Sequence, residues 1–190
     1  MLNEAIIFAT NAHAGVNRKG KTRLYILHPI EAMLIVASLT EDEEVLAAAV
    51  LHDVVEDTDV GEMAIRDAFG DRVADLVMAE SEDKMKDIPA DSSWEARKQA
   101  TINHLSSLDR DALLICLGDK LANIREMSRD YAVLGDGLWE RFNQKDKAKH
   151  AWYYSSVYQI LAKALGEVPP IREYRAMLKE VFDWEEGKNG

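Results

Sequence analysis

The stretch Glu43-Glu44-Val45-Leu46-Ala47-Ala48-Ala49-Val50-Leu51-His52-Asp53-Val54-Val55-Glu56-Asp57 decides how this chain is read. Val45, Leu46, Ala49, Val50 and Val54 recur at helical spacing, so Glu43 to Asp57 is expected as one helix. Its acidic start, Glu41 to Glu44, suits the positive end of the helix dipole. Its far end carries His52, Asp53, Glu56 and Asp57. On a continuous helix Glu56 stands four residues from His52 and three from Asp53, and Asp57 stands four from Asp53, so they share a face. Four ionisable groups at one helix end repel one another. A bound dication would offset that repulsion. A solvated acidic helix end accounts for the same residues without a metal.

The helical pattern continues outward in both directions. Leu2, Ile6, Ala9 and His13 form one stripe, and Ile30, Met33, Leu34 and Ala37 form another after His28-Pro29, where proline fits the first turn. Met63 to Phe69 and Arg72 to Ala79 are shorter helices separated by Gly70-Asp71. The polar run from Glu82 to Ser93, with Pro89, reads as a loop. Ser92-Ser93 then caps a helix to about Leu108. Asp111 to Leu117 and Lys120 to Arg129 are expected as a pair broken at Gly118-Asp119. Leu138 to Leu165 is one long helix or two joined ones, and Ile171 to Trp184 is the last, with Gly187 to Gly190 fraying. No run of β-branched alternation competes, so the fold class is all-α. The expected organisation is a main domain over 1–165, followed by a linker and C-terminal helix over 166–190.

Composition narrows the partners. A chain of 190 residues, 47% hydrophobic, buries a core of ordinary size. Its net charge of −11 argues against a protein that coats nucleic acid or an anionic membrane. The charge is uneven. Residues 41 to 95 hold 18 acids and four bases, whereas Arg18, Lys19, Lys21 and Arg23 fall within six residues and no acid separates Glu4 from Glu31. A basic island of this kind is either a solvated loop or an anion site, with phosphate the natural ligand of Arg and Lys. One cysteine, Cys116, excludes an internal disulfide and a cysteine-rich zinc site. No apolar run reaches the ~20 residues of a membrane span, and a cytoplasmic location is expected.

His28, the dyad His52-Asp53 and Asp119 are the candidate metal ligands. His28 opens a helix, the dyad ends one, and Asp119 is expected just before another, so helix ends converging in a bundle can bring them together. Two imidazoles and two carboxylates suit Mn²⁺, Fe²⁺ or Zn²⁺ better than Mg²⁺. Glu56 and Asp57 then stand where an attacking water would be oriented or deprotonated.

The order His28-Pro29, His52-Asp53, Glu56-Asp57, Asp119 resembles the HD phosphohydrolase superfamily. His13-Ala14-Gly15, Arg18-Lys19, Tyr25-Ile26, Leu51 to Thr58 and Gly118-Asp119-Lys120-Leu121-Ala122-Asn123 narrow the resemblance, from about Ile6 to Leu165. Together they are similar to the hydrolase domain of the RelA/SpoT enzymes and the free-standing small alarmone hydrolases. The resemblance implies an HD-domain helical bundle and Mn²⁺-dependent removal of the 3′-pyrophosphate of guanosine tetra- or pentaphosphate. It implies His28, His52, Asp53 and Asp119 as metal ligands, Glu56 and Asp57 as the water-activating pair, Arg18 and Lys19 against the guanine and its charged groups, and Asn123 at the ribose. Two positions depart from the family pattern. Leu24 stands where a proline is usual, and Glu126 where a small hydroxyl residue is common. Hydrolysis of another nucleotide such as NADPH, or nucleotide binding without catalysis, are the competing readings. Outside the motifs, His13 is expected to make a supporting hydrogen bond, His104 and His150 to lie at the surface or boundary, and Cys116 to be inert core. Lys120 and Arg125 are further cations for phosphate. Lys84, Lys86, Arg97 and Lys98 could close over it.

Overall fold

The computed structural model describes residues 1–81 and 92–187. Among these residues it is all-α apart from a 3-10 helix and one isolated antiparallel bridge, Asn17 to Leu24. Expectations for Lys84, Lys86 and Pro89, for most of the 82–93 loop, and for the last three residues lie outside the described residues.

The chain divides into two compact units. The first takes residues 1–81 and 109–122. It contains α1 (Leu2–Ala12), α2 (Leu27–Ala37), α3 (Glu43–Leu51), α4 (Val54–Asp57), α5 (Glu62–Phe69), α6 (Asp71–Glu80) and the start of α8 (Arg110–Leu134). Helix α3 is its centre. Val45 and Ala47 to Leu51 are all buried, because α1, α2 and α6 pack around it. The alanines let those neighbours approach closely. Asp42 is the N-cap, its carboxylate accepting from Glu44 N at 3.0 Å and Val45 N at 3.4 Å, a bond worth about 1 kcal/mol.

Two boundaries differ from the sequence expectation, and both bear on the site. The helix beginning at Glu43 stops at Leu51, and α4 restarts at Val54. His52 (φ −53, ψ −36) and Asp53 (φ −91, ψ −7) keep right-handed backbone, so the chain bends there without unwinding. The His52 ring bonds back to Ala49 O at 2.8 Å and offers that carbonyl a partner outside the regular ladder. The shared face inferred for His52 and Glu56 therefore does not follow from ideal helical spacing. The relation of Asp53 to Asp57 survives, since Asp57 N donates to Asp53 O at 2.9 Å.

The second difference is the absence of a break at Gly118-Asp119. Helix α8 runs unbroken from Arg110 to Leu134, so Asp119 is mid-helix and does not precede one. Glycine is needed here for space. A Cβ at Gly118 would lie 2.7 Å from Ala32 O and 2.8 Å from Val36 Cγ2 on α2. In an exposed helix Gly→Ala gains about 1 kcal/mol. Here overpacking against a backbone oxygen, costing about 1–3 kcal/mol, opposes that gain. Gly118→Ala should therefore lower stability, by up to about 2 kcal/mol net, and a urea denaturation midpoint compared with wild type measures it.

The second unit takes the described residues of 82–108 together with 123–190. Its helices are α7 (Trp94–Leu105), the end of α8, a 3-10 helix (Gly135–Arg141), α9 (Lys147–Leu165) and α10 (Pro169–Phe182). The expected span Leu138 to Leu165 is thus a 3-10 turn, a short connection and one helix capped by Asp146, whose carboxylate accepts from Ala148 N at 2.8 Å. Ser93 stands at the N-cap of α7 without capping it, and its hydroxyl accepts from Arg97 Nε at 3.2 Å. Aromatic rings fill the core, with Trp139 stacked on His150 at 5.2 Å and on Phe182 at 5.7 Å. His150 is buried, contrary to its expected surface or boundary position, because the ring packs between aromatics while Nε2 bonds Gln144 O at 2.8 Å. Arg125 forms a bidentate pair with Glu173 at 2.6 and 2.7 Å. Lys98 lies over the Tyr153 ring at 4.9 Å.

Candidate metal centre

The first unit gathers His28, His52, Asp53 and Asp119. His28 is the second residue of α2, with Pro29 next to it in the first turn. His52 and Asp53 occupy the bend between α3 and α4, and Asp119 faces them from α8. His28 Nε2 lies 3.1 Å from Asp119 Oδ1 and 3.4 Å from Asp53 Oδ2. His52 Nε2 lies 3.3 Å from Asp53 Oδ2 and 3.6 Å from Asp119 Oδ1. His28, His52 and Asp119 each offer a ligand atom within 4.8 Å of the others. Both histidines and Asp119 are buried. The set comes from two helix ends and one helix interior, not from three helix ends as expected.

The protonation pattern tests whether a cation fits. His52 Nδ1 is 2.8 Å from Ala49 O, an oxygen that can only accept, so Nδ1 carries a hydrogen. In the neutral ring Nε2 then presents a lone pair to the two carboxylates. That nitrogen is buried and has no hydrogen-bond partner. Burial lowers the His52 pKa, yet the Asp53 and Asp119 carboxylates overcome this and hold it well above the ordinary value. His28 is raised by the same contest between burial and Asp119 with Asp53. Burial pushes both aspartates up, but His52 with His28 draws Asp53, and Lys120 with the histidines draws Asp119, well below the carboxylate range. The cluster thus demands positive charge at its centre. Two imidazole nitrogens and two carboxylates fit a divalent cation, which replaces the protons that the histidines otherwise recruit.

Around the cluster, Tyr25 OH lies 2.7 Å from Asp53 Oδ2 and 2.5 Å from Asp57 Oδ2. His13 stacks on the Tyr25 ring at 4.7 Å. Its ring nitrogens are buried without hydrogen-bond partners, so the expected supporting hydrogen bond is not made. Its pKa is lowered by that burial. The Arg18 guanidinium covers the same tyrosine at 5.3 Å. The basic island forms a small hairpin, with Arg18 N to Arg23 O and Tyr25 N to Val16 O both 2.9 Å. Leu24 sits on its rung opposite Asn17 and is exposed. Lys19 is exposed at its tip, and Glu56 is half-buried on α4 beside Asp57. Lys120 is ion-paired with Asp119. Asn123 lies on α8 in the second unit, as does Arg125, whose pairing with Glu173 counts against the phosphate-capture role considered for it.

Two residues near the centre were not singled out from sequence. Tyr25 appeared only as part of a motif. Glu80, at the end of α6, has a fully buried Oε1 with no hydrogen-bond partner. Burial raises its pKa to about 7, with Lys120 pulling down and Asp119 pushing up. Cys116 is buried with its thiol pushed up by burial and by Glu80, which agrees with an inert thiol. No local pattern distinguishes Glu80 from the acids around it.

A helical fold with histidines and aspartates gathered at a bend defines the HD class, and the HD-domain family profile matches residues 5–167. The chain belongs to the HD-domain family. It is 32% identical over 165 residues to a guanosine-3′,5′-bis(diphosphate) 3′-pyrophosphohydrolase of Aquifex aeolicus, covering 87% of this chain and 21% of that protein. It is 34% identical over 132 residues to the guanosine-3′,5′-bis(diphosphate) 3′-pyrophosphohydrolase MESH1 of Danio rerio, covering 68% of this chain and 70% of that one. The chain spans about a fifth of the length of the long bacterial relatives. Among solved structures, a metazoan ortholog of SpoT that hydrolyses ppGpp superposes with a TM-score of 0.72 at 27% identity, over 96% of this chain and 93% of that one. A protein of Listeria monocytogenes EGD-e superposes with a TM-score of 0.70 at 29% identity, over 83% and 94%. No helix among the described residues is long and apolar enough to cross a membrane.

Proposed function

We propose that this chain hydrolyses the 3′-pyrophosphate of guanosine tetra- or pentaphosphate, releasing pyrophosphate and GDP or GTP, with Mn²⁺ as its metal. The observation that carries the reading is the mixed nitrogen and oxygen cluster of His28, His52, Asp53 and Asp119, one hydroxyl away from Asp57. The similarity to MESH1, most of whose length is covered, supports the substrate.

His28, His52, Asp53 and Asp119 hold the metal. When bound, the dication supplies Lewis-acid charge and brings the pKa of an attacking water towards about 7. Glu56 and Asp57 orient that water and take its proton. The water oxygen joins the 3′-linked phosphorus, and the ribose 3′-oxygen leaves with the bonding pair and is protonated. Arg18 and Lys19 bind the guanine and its charged groups, and Asn123 binds the ribose. Local cations at 18–23 and Lys120 offset the long-range repulsion of an anionic substrate by an acidic chain. We assign the HD domain to 1–165, with the linker and C-terminal helix at 166–190, a boundary supported by the end of the family match at 167. The net charge of −11 supports small nucleotides over nucleic acid polymers or membranes as partners, and the single cysteine supports the cytoplasm.

The test is the purified protein with Mn²⁺ and a panel of nucleotides, with products separated by chromatography. GDP and pyrophosphate from guanosine tetraphosphate is the expected result. Turnover of NADPH or other nucleotides without it overturns the substrate, and turnover of none overturns the hydrolase.

A further inference from the structure

We infer that Tyr25 is a positioning residue that couples the metal-binding carboxylate of Asp53 to the water-activating carboxylate of Asp57. Its role rests on the proposed hydrolase reading, but part of its test does not. The Asp53 oxygen that Tyr25 touches, Oδ2 at 2.7 Å, is the same atom that lies 3.3 and 3.4 Å from the two histidine Nε2 atoms. A hydroxyl on a ligating oxygen fixes the orientation of that ligand. The same hydroxyl reaches Asp57 Oδ2 at 2.5 Å, which holds that Asp57 oxygen in place. A phenol has one hydrogen, so the two carboxylates share a single donor. A change in the charge around Asp53 thereby alters the hold on Asp57.

The ring is built to stay in place. His13 stacks on one side at 4.7 Å, the Arg18 guanidinium lies 5.3 Å from the ring centre, and the backbone N–H is tied to Val16 O at 2.9 Å. The aromatic contacts do not need the hydroxyl, so phenylalanine preserves them.

The experiment uses the full chain and the variants Tyr25→Phe, Asp57→Asn and the double variant. Calorimetric titration with Mn²⁺ alone should show Tyr25→Phe weakened about tenfold, the usual size for loss of an outer-shell partner. With guanosine tetraphosphate, Tyr25→Phe should lower kcat about 10- to 100-fold with KM within about twofold, and the double variant should be no slower than Asp57→Asn alone. Unchanged Mn²⁺ affinity overturns the assignment, as does a double variant whose losses multiply. Circular dichroism melts confirm that each variant folds, and Asp57→Asn weakens the same link from its other end. If wild type does not turn over guanosine tetraphosphate, the substrate reading fails while the Mn²⁺ titration still decides the role of Tyr25.

Discussion

Replacing Asp53 by alanine should abolish hydrolysis and metal binding together. Asp53 Oδ2 sits within 3.4 Å of both histidine Nε2 atoms. Loss of an outer-shell partner costs a metal site about 10- to 100-fold, so removing the ligand proposed here should cost more than about 100-fold in Mn²⁺ affinity. Metal content after gel filtration, together with calorimetry, measures this. Retained activity would refute the metal site. The wild-type titration carries a further signature. The carboxylates hold His28 and His52 above their ordinary pKa, so the rings keep their extra protons to higher pH than a free imidazole does before metal enters. A metal needs those lone pairs, so binding releases protons. Affinity should then weaken as pH falls and strengthen as it rises, and the heat of binding should vary with the ionisation enthalpy of the buffer. A heat independent of buffer would mean that the rings bind metal already neutral.

Replacing Glu56 by glutamine should lower kcat by about 10²- to 10⁴-fold, the range for loss of a general base, with Mn²⁺ affinity nearly unchanged. Glutamine keeps the shape and removes the ability to accept a proton. Glu56 lies on the four-residue helix α4, which the bend at His52-Asp53 sets off from α3, and its neighbour Asp57 is already held by Tyr25. An equal fall in kcat and kcat/KM places the loss in the transition state. Turnover unchanged from wild type would remove Glu56 from the reaction and leave Asp57 as the base.

Much of this was legible in the residues. Apolar spacing located most of the helices, Gly70 marked a real boundary, and Asp42 capped the helix whose acidic start suggested an N-terminus. The candidate ligands could be named because residue type and order are properties of the chain. The errors have a common cause. Gly118 read as a breaker because glycine has low helix propensity, yet α2 approaches so closely that only glycine fits in an unbroken helix. His150 read as a boundary residue because imidazole is polar, yet a carbonyl partner and aromatic neighbours bury it. The bend at His52-Asp53 was invisible because a side chain that competes for a backbone carbonyl leaves the apolar period intact.

The all-α character, the residue types of the candidate donors and the separation of the acids from the basic island can all be read along the chain. These depend on composition and local spacing. Packing alone brings His28 and Asp119, 91 positions apart, to within 3.1 Å of one another. Packing also turns His52 Nε2 towards Asp53 and Asp119, and sets one tyrosine hydroxyl against both Asp53 and Asp57. Those outcomes depend on how closely α2, α3 and α8 pack. That closeness is set by small residues such as Gly118 and Ala47 to Ala49, whose own side chains carry none of the chemistry.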